Sequence, residues 1–144
     1  HNHRAMWLDF CAGLGLDRDQ VEVAEADTKT QELLDAYNDV CNHTSFQEGL
    51  AAIYAYEAQV PQVAVEKIRG LNEFYGFDQQ DAVEFFRVHA TLDEDHSANE
   101  AKAIAGNTDS ADEAAVEGTL QRALDAWWGF LDGVEERRRE MARV

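Results

Sequence analysis

Apolar residues recur at helical spacing over most of the chain, and no stretch alternates as a half-buried strand would. His1 to Ala12 carries Ala5, Met6, Leu8 and Phe10 and stops at Gly13 and Gly15. Asp17 to Asp27 has room for a helical turn or two. Thr28 with Gln31 reads as a capping box, followed by Leu33, Leu34, Tyr37 and Val40 as far as about His43. Ser45 with Glu48 repeats that signal. It opens a segment through Ile53 and Glu57 toward Arg69, which Pro61 should kink or break. Gly70 and Gly76 end the next pieces. Asp78 caps a helix running to about Ile104, and Gly106 closes it. Ser110 with Glu113 starts the last helix, which bears Leu120, Leu124, Trp127, Trp128 and Leu131. That helix ends in Arg137, Arg138 and Arg139, cations suited to its negative end. The pattern predicts an all-α chain of about five helices with short loops, sequence neighbours packing mainly antiparallel. Without repeats or low-complexity tracts, residues 1–144 are expected to form a single helical domain.

Composition narrows this picture. A chain of 144 residues can bury one real core. It carries 29 Asp and Glu against 12 Lys and Arg, a formal net charge of −17, which argues against nucleic acid and anionic membranes as partners. At 45% apolar residues with one Pro, disorder is not expected. No apolar run reaches the ~20 residues that span a bilayer. Cys11 and Cys41 are too few for a disulfide framework, and with no signal-peptide pattern the expected compartment is the cytoplasm. Lysine is scarce, at Lys29, Lys67 and Lys102 alone, a balance that fits either a halophilic source or an ordinary acidic protein. The chain opens at His1 within a helical pattern and without Met, and the expectation is of a fragment lacking an N-terminal part.

The segment His89-Ala-Thr-Leu-Asp93-Glu-Asp-His96 carries the most chemistry. With His89 at zero and ~100° per residue, Asp93 falls near 40° and His96 near −20°, one narrow helical face. Imidazole and carboxylate suit iron, manganese or zinc, and facing helices of a bundle would supply further ligands. The same spacing also fits polar residues on a solvated face, although Val88 and Leu92 flank the stripe. Glu57 stands among Tyr54, Tyr56, Val60 and Pro61. A carboxylate there is buried at a cost unless paired, protonated or metal-bound, or else it reaches water from a helix edge. His3 is a ligand or a surface residue. His43 is most simply a partner of a helix C-terminus.

Taken together, the blocks Tyr54-Ala-Tyr-Glu57-Ala-Gln-Val-Pro61, Glu66-Lys67-Ile68-Arg69-Gly70-Leu71, Phe74-Tyr75-Gly76 and His89-x3-Asp93-x2-His96 resemble the CADD-like proteins. These are proteins of the type that associates with death domains. They belong to the haem-oxygenase-like superfamily, alongside the PqqC and TenA branches. The resemblance covers about His3 to Ile104. It implies a haem-oxygenase-like helical bundle, normally of about seven helices, lacking its N-terminal helices here. It implies no haem but two non-haem metal ions, iron with iron or with manganese, held by three His and three carboxylates. His89, Asp93 and His96 match the C-terminal triplet, Glu57 the carboxylate before the Pro, and His3 the histidine of an E-x6-H pair whose Glu lies before this chain's first residue.

CADD-like proteins make p-aminobenzoate for folate and are similar to self-sacrificing oxygenases. The ring comes from a protein tyrosine and the nitrogen from a lysine. Lys67 matches that lysine and Tyr56 a tyrosine beside the site, whereas the consumed tyrosine belongs to the family's N-terminal helix. Lys67 lies ~15 Å past Glu57 on a straight helix, so only a break at Pro61 returns it toward the metals. Tyr54, Phe85, Phe86, Trp127 and Trp128 read as core packing. The implied partners are small molecules and O2, with a homodimer plausible for the superfamily. Three other readings stand beside this one: a related oxygenase acting on an amino acid or fatty acid, a TenA-like thiamin-salvage hydrolase using a Cys, and a non-enzymatic interaction module.

Overall fold

The computed structural model describes residues 2–77 and 83–143. They form seven helices and no strand: α1 (His3–Gly13), α2 (Arg18–Glu22), α3 (Thr28–His43), α4 (Phe46–Glu57), α5 (Val60–Tyr75), α6 (Glu84–Asn107) and α7 (Glu113–Met141). The all-α expectation holds, with seven helices in place of about five. The difference comes from the short α2 and from the break at Ala58–Gln59. Pro61 sits in the first turn of α5, where a missing N–H costs nothing because helix starts leave those donors unpaired. The expected Asp78 cap and His1 lie outside the described residues.

The caps show which side chains won locally. Ser45 and Glu48 form the expected reciprocal box: Ser45 N–H donates to Glu48 Oε2 (3.1 Å) and Glu48 N–H to Ser45 Oγ (3.3 Å). Thr28 does not cap α3. Asp27, one residue earlier, accepts the Thr30 N–H at 2.7 Å. Its carboxylate also pairs with Arg137 near the end of α7. A charged acceptor with a second partner outcompetes a hydroxyl. Ser110 does not cap α7 either: the N-cap is Asp112, which makes no side-chain capping hydrogen bond, and Asp109 accepts from the Ala111 N–H (2.8 Å) in the turn ahead of the helix. Gly76 closes α5 in the left-handed region at φ 66°, a conformation that favours glycine.

Two compact units emerge: His1–Glu25 with Glu57–His96, and Ala26–Tyr56 with Ser97–Val144. In the first, Phe10 and Cys11 of α1, Ala64 of α5 and Phe86 of α6 are buried, with Val21, Ile68, Leu71 and Phe85 against them. Phe10 meets Phe86 edge-on at 4.9 Å, and Trp7 meets Phe85 at 5.2 Å. Burying a Phe of this kind stabilises by roughly 1.5–3 kcal/mol. This aromatic cluster fixes α1, α5 and the first half of α6, the elements that carry His3, Lys67 and the His89–His96 segment.

In the second unit, Val40, Ala52, Ala55 and Ala123 are buried, with Tyr37, Leu120 and Leu124 around them. The alanines let helices approach closely. The dominant helix pair is α3 with α7, far apart in sequence, so antiparallel packing of sequence neighbours does not describe it. At Gly133 of α7 an added Cβ would stand 2.7 Å from Cβ of Lys29 on α3. Glycine there admits the close crossing. Thr119 is almost wholly buried, donates to Glu48 Oε1 (3.0 Å) and accepts from Arg122 (3.0 Å), tying α7 to the start of α4. Of the expected α3 stripe, Leu33 and Val40 are buried, whereas Leu34 is 48% exposed.

Candidate metal centre

Glu57 is the last residue of α4, and Asp93 and His96 lie one turn apart on α6. Each offers one ligand atom, and the three atoms lie within 4.8 Å of one another. Asp93 is buried, at 4% exposure. His96 is exposed, so the expected inward stripe turns outward at its C-terminal end. Nδ1 of His96 is 3.4 Å from Asp93 Oδ1 and 3.6 Å from Glu57 Oε2. Both are longer than a good hydrogen bond. Glu57 Oε2 is buried and accepts no hydrogen bond. Leaving a buried charged acceptor unsatisfied costs about 1–3 kcal/mol or more. Three anionic or lone-pair atoms thus converge, and the 3.4 and 3.6 Å separations from His96 are ones that two metal–ligand bonds of about 2.1 Å each can cover. The donor set fits a divalent cation of the iron or manganese type.

His3 and His89 form a second pair. Their rings meet edge-on at 4.7 Å. They are not part of the three-residue cluster. Nδ1 of His89 lies 2.6 Å from the Phe85 carbonyl, which can only accept, so Nδ1 carries the proton. That leaves the Nε2 lone pair of His89 free, the arrangement in which a metal-binding imidazole is oriented by a backbone acceptor. Phe85 also packs against the ring at 4.3 Å. Sequence reasoning assigned Phe85 to packing alone. The only available signal for its carbonyl was the i, i+4 spacing.

A break before Pro61 separates α4 from α5. Lys67 Nζ lies 5.3 Å from the centre of the Phe86 ring. Phe86 stands three residues before His89, on the turn of α6 leading to it. Lys67 as a whole residue is exposed, yet desolvation of its ammonium lowers its pKa from the usual 10.5. Tyr56 lies one residue before Glu57 and stacks on Trp127 at 4.5 Å with an 8° angle between planes. Cys11 is buried and its thiol is pushed up by that burial, the opposite of an activated thiolate nucleophile.

A family model described as iron-containing redox enzyme matches residues 1–128. The chain belongs to this haem-oxygenase-like family. It is 42% identical over 136 residues to a Nitrosomonas europaea protein named 4-aminobenzoate synthase, covering 94% of this chain and 55% of that one. A Chlamydia trachomatis protein of the same name is 33% identical over 131 residues, 91% of this chain and 56% of its own length. A Streptantibioticus cattleyicolor protein named 4-chloro-allylglycine synthase is 28% identical over 135 residues, 93% and 52% of the two chains. The chain therefore spans a little over half the length of these curated relatives. Family membership agrees with the resemblance drawn from the Tyr54–Pro61 and His89–His96 blocks. Among the described residues, no helix is long and apolar enough to cross a membrane.

Proposed function

We propose that this chain carries the metal centre and the amino donor of a non-haem dimetal oxygenase that makes 4-aminobenzoate. The observation that carries the reading is the convergence of Glu57, Asp93 and His96 around a buried, unsatisfied carboxylate oxygen. The names of the relatives supply the product. Two metal ions, iron with iron or with manganese, would supply activation of O2. Glu57, Asp93 and His96 would hold one face of that centre, and His3 and His89 would extend it. The negative charge of Glu57 and Asp93 balances bound cations in a partly buried site. The Phe85 carbonyl keeps the His89 proton on Nδ1 so that Nε2 is presented.

Lys67 is the nitrogen source in this reading. A nucleophilic amine must first lose its proton, and burial makes that loss easier at Lys67. The Lys67 amine lies over the face of Phe86, and among the described residues no carboxylate pairs with it. Tyr56 offers an oxidisable ring beside Glu57. The carbon ring of the product would come from a tyrosine of the protein. Conversion of a free amino acid is the second reading, supported by the relative named 4-chloro-allylglycine synthase on the same scaffold. The partners in either reading are small molecules and O2.

The test is elemental analysis after anaerobic reconstitution with ferrous iron, with or without manganese. About two metals per chain are expected, and His89→Ala should lose at least one of them. Product is then sought by mass spectrometry with and without Lys67→Ala. A protein that takes up no metal overturns the oxygenase reading. A metal-loaded protein whose product carries no nitrogen from Lys67 overturns the role of that lysine.

A further inference from the structure

Lys67 occupies a position that helical spacing reserves for apolar residues. It follows Ala64 by three residues and precedes Leu71 by four, so the three share one face of α5 with Val60. Val60 and Ala64 are buried, and Leu71 packs against the aromatic cluster of the first unit. A lysine on such a stripe lays its methylenes along apolar surface and leaves its head to find a partner. The chain has 29 acidic residues and lysine only at Lys29, Lys67 and Lys102. Lys29 pairs with Glu32, and Glu66, the neighbour of Lys67, is taken by Arg69 at 3.0 Å. Nζ of Lys67 stands instead 5.3 Å from the centre of the Phe86 ring. We propose that Phe86 is the positioning residue of Lys67, its ring face holding the amine in the ammonium form against α6 in the resting protein.

The face of an aromatic ring carries the negative part of its quadrupole, so it attracts a cation and not a neutral amine. The ring is itself fixed. Phe86 is 5% exposed and meets Phe10 edge-on at 4.9 Å and Phe85 at 5.4 Å. Two effects therefore oppose one another at Lys67: desolvation favours the neutral amine, and the ring face favours the ammonium. Charged groups on the surrounding helices are engaged with one another. Arg69 meets Glu66 and Glu73 on α5, and Arg87 meets Glu84 on α6. Asp9 pairs with Arg18, and Arg4 with Glu22, on α1 and α2. The Cys11 thiol of α1 is held neutral by its burial. An ammonium has three donors and no lone pair, so it neither attacks an electrophile nor ligates a metal ion. Phe86 stands one turn before His89. A nitrogen donor parked on it stays near the centre without entering the ligand set. That use rests on the amino-donor reading above, whereas the hold of the ring on the ammonium does not.

With lysine at three positions the test is a simple spectrum. The full chain is labelled with carbon-13 at the lysine ε-carbons, and Lys67→Met assigns the signal. The Lys67 ε-methylene protons should lie upfield of those of Lys29 and Lys102, because a ring face shields what sits over it. Phe86→Tyr should keep that shift, and Phe86→Leu should remove it. Because Phe86→Leu also disturbs the aromatic packing, position 86 is then filled with 4-fluoro- and 3,4,5-trifluorophenylalanine. These keep the shape of the ring while draining charge from its face. A pH titration of the same signal should show the Lys67 pKa falling stepwise along the series, by about half a unit in total. A Lys67 signal that coincides with that of Lys102 in the parent overturns the proposal. So does a Lys67 pKa that stays constant as the ring is fluorinated. Both readouts are taken without metal or product, so failure of the metal centre or of nitrogen transfer leaves them standing.

Discussion

Glu57→Gln should move stability in opposite directions with and without metal. Glu57 Oε2 is buried and unsatisfied, within reach of Asp93 and His96. In the metal-free protein that atom carries a penalty of about 1–3 kcal/mol. Gln removes the charge and brings an N–H donor toward the Asp93 carboxylate. A gain of about 1 kcal/mol raises the melting temperature by roughly 2–4 °C for a chain near this size. With ferrous iron the order reverses. A ligand present at about 100 Kd stabilises the native state by about 2.7 kcal/mol, or roughly 5–11 °C at the same conversion. Gln is a poor substitute for an anionic ligand, so the variant should lose most of that shift. The assay is anaerobic differential scanning fluorimetry, with and without ferrous iron. Glu94→Gln, at an exposed carboxylate of α6, serves as the control. If metal-free Glu57→Gln melts below wild type, or keeps the full iron-dependent shift, the reasoning about a carboxylate held ready for metal is wrong.

The remaining predictions concern lysines and glycines. Competitive acetylation over a pH series, read by peptide mass spectrometry, should show Lys67 reacting at lower pH than Lys29. Burial lowers the pKa of Lys67, whereas the Glu32 carboxylate raises that of Lys29. The linked stability has a definite sign. Between the lowered pKa and 10.5 the unfolded chain binds more protons at Lys67, so the cost of burying the charged lysine is full below that window and is relieved as pH rises through it. Lys67→Met should remove that slope. On α7, Gly118→Ala should stabilise by up to about 1 kcal/mol, because the new Cβ meets nothing within 4 Å and alanine is the better helix former. Gly133→Ala should destabilise by about 1–3 kcal/mol despite the same propensity gain, because Lys29 backs the site at 2.7 Å. Urea unfolding of the two variants checks the contrast, and equal shifts would refute the close crossing.

Much of this protein is written locally. Helical spacing gave the all-α class, because the period of apolar positions is a property of neighbours along the chain. The Ser45–Glu48 box formed as expected, since both partners lie within one turn and nothing distant competes for them. The break before Pro61 was equally local. His89, Asp93 and His96 could be singled out because a helix repeats its face at a fixed interval. Where sequence reading failed, a partner from elsewhere decided. Asp27 capped α3 in place of Thr28 because Arg137, more than a hundred positions away, also engages it.

Only the tertiary structure could show that Glu57 meets Asp93 and His96, that His3 pairs with His89, and that Lys67 rests on Phe86. Each is a contact between helices that local spacing does not encode. The Tyr56–Trp127–Tyr37 arrangement is of the same kind, joining three helices through a stack and two hydrogen bonds. Sequence alone therefore determined the helices and nominated the ligand types. Packing decided which side chains meet, because the free energy that holds α3 against α7, or α1 against α6, comes from burying faces that lie far apart along the chain.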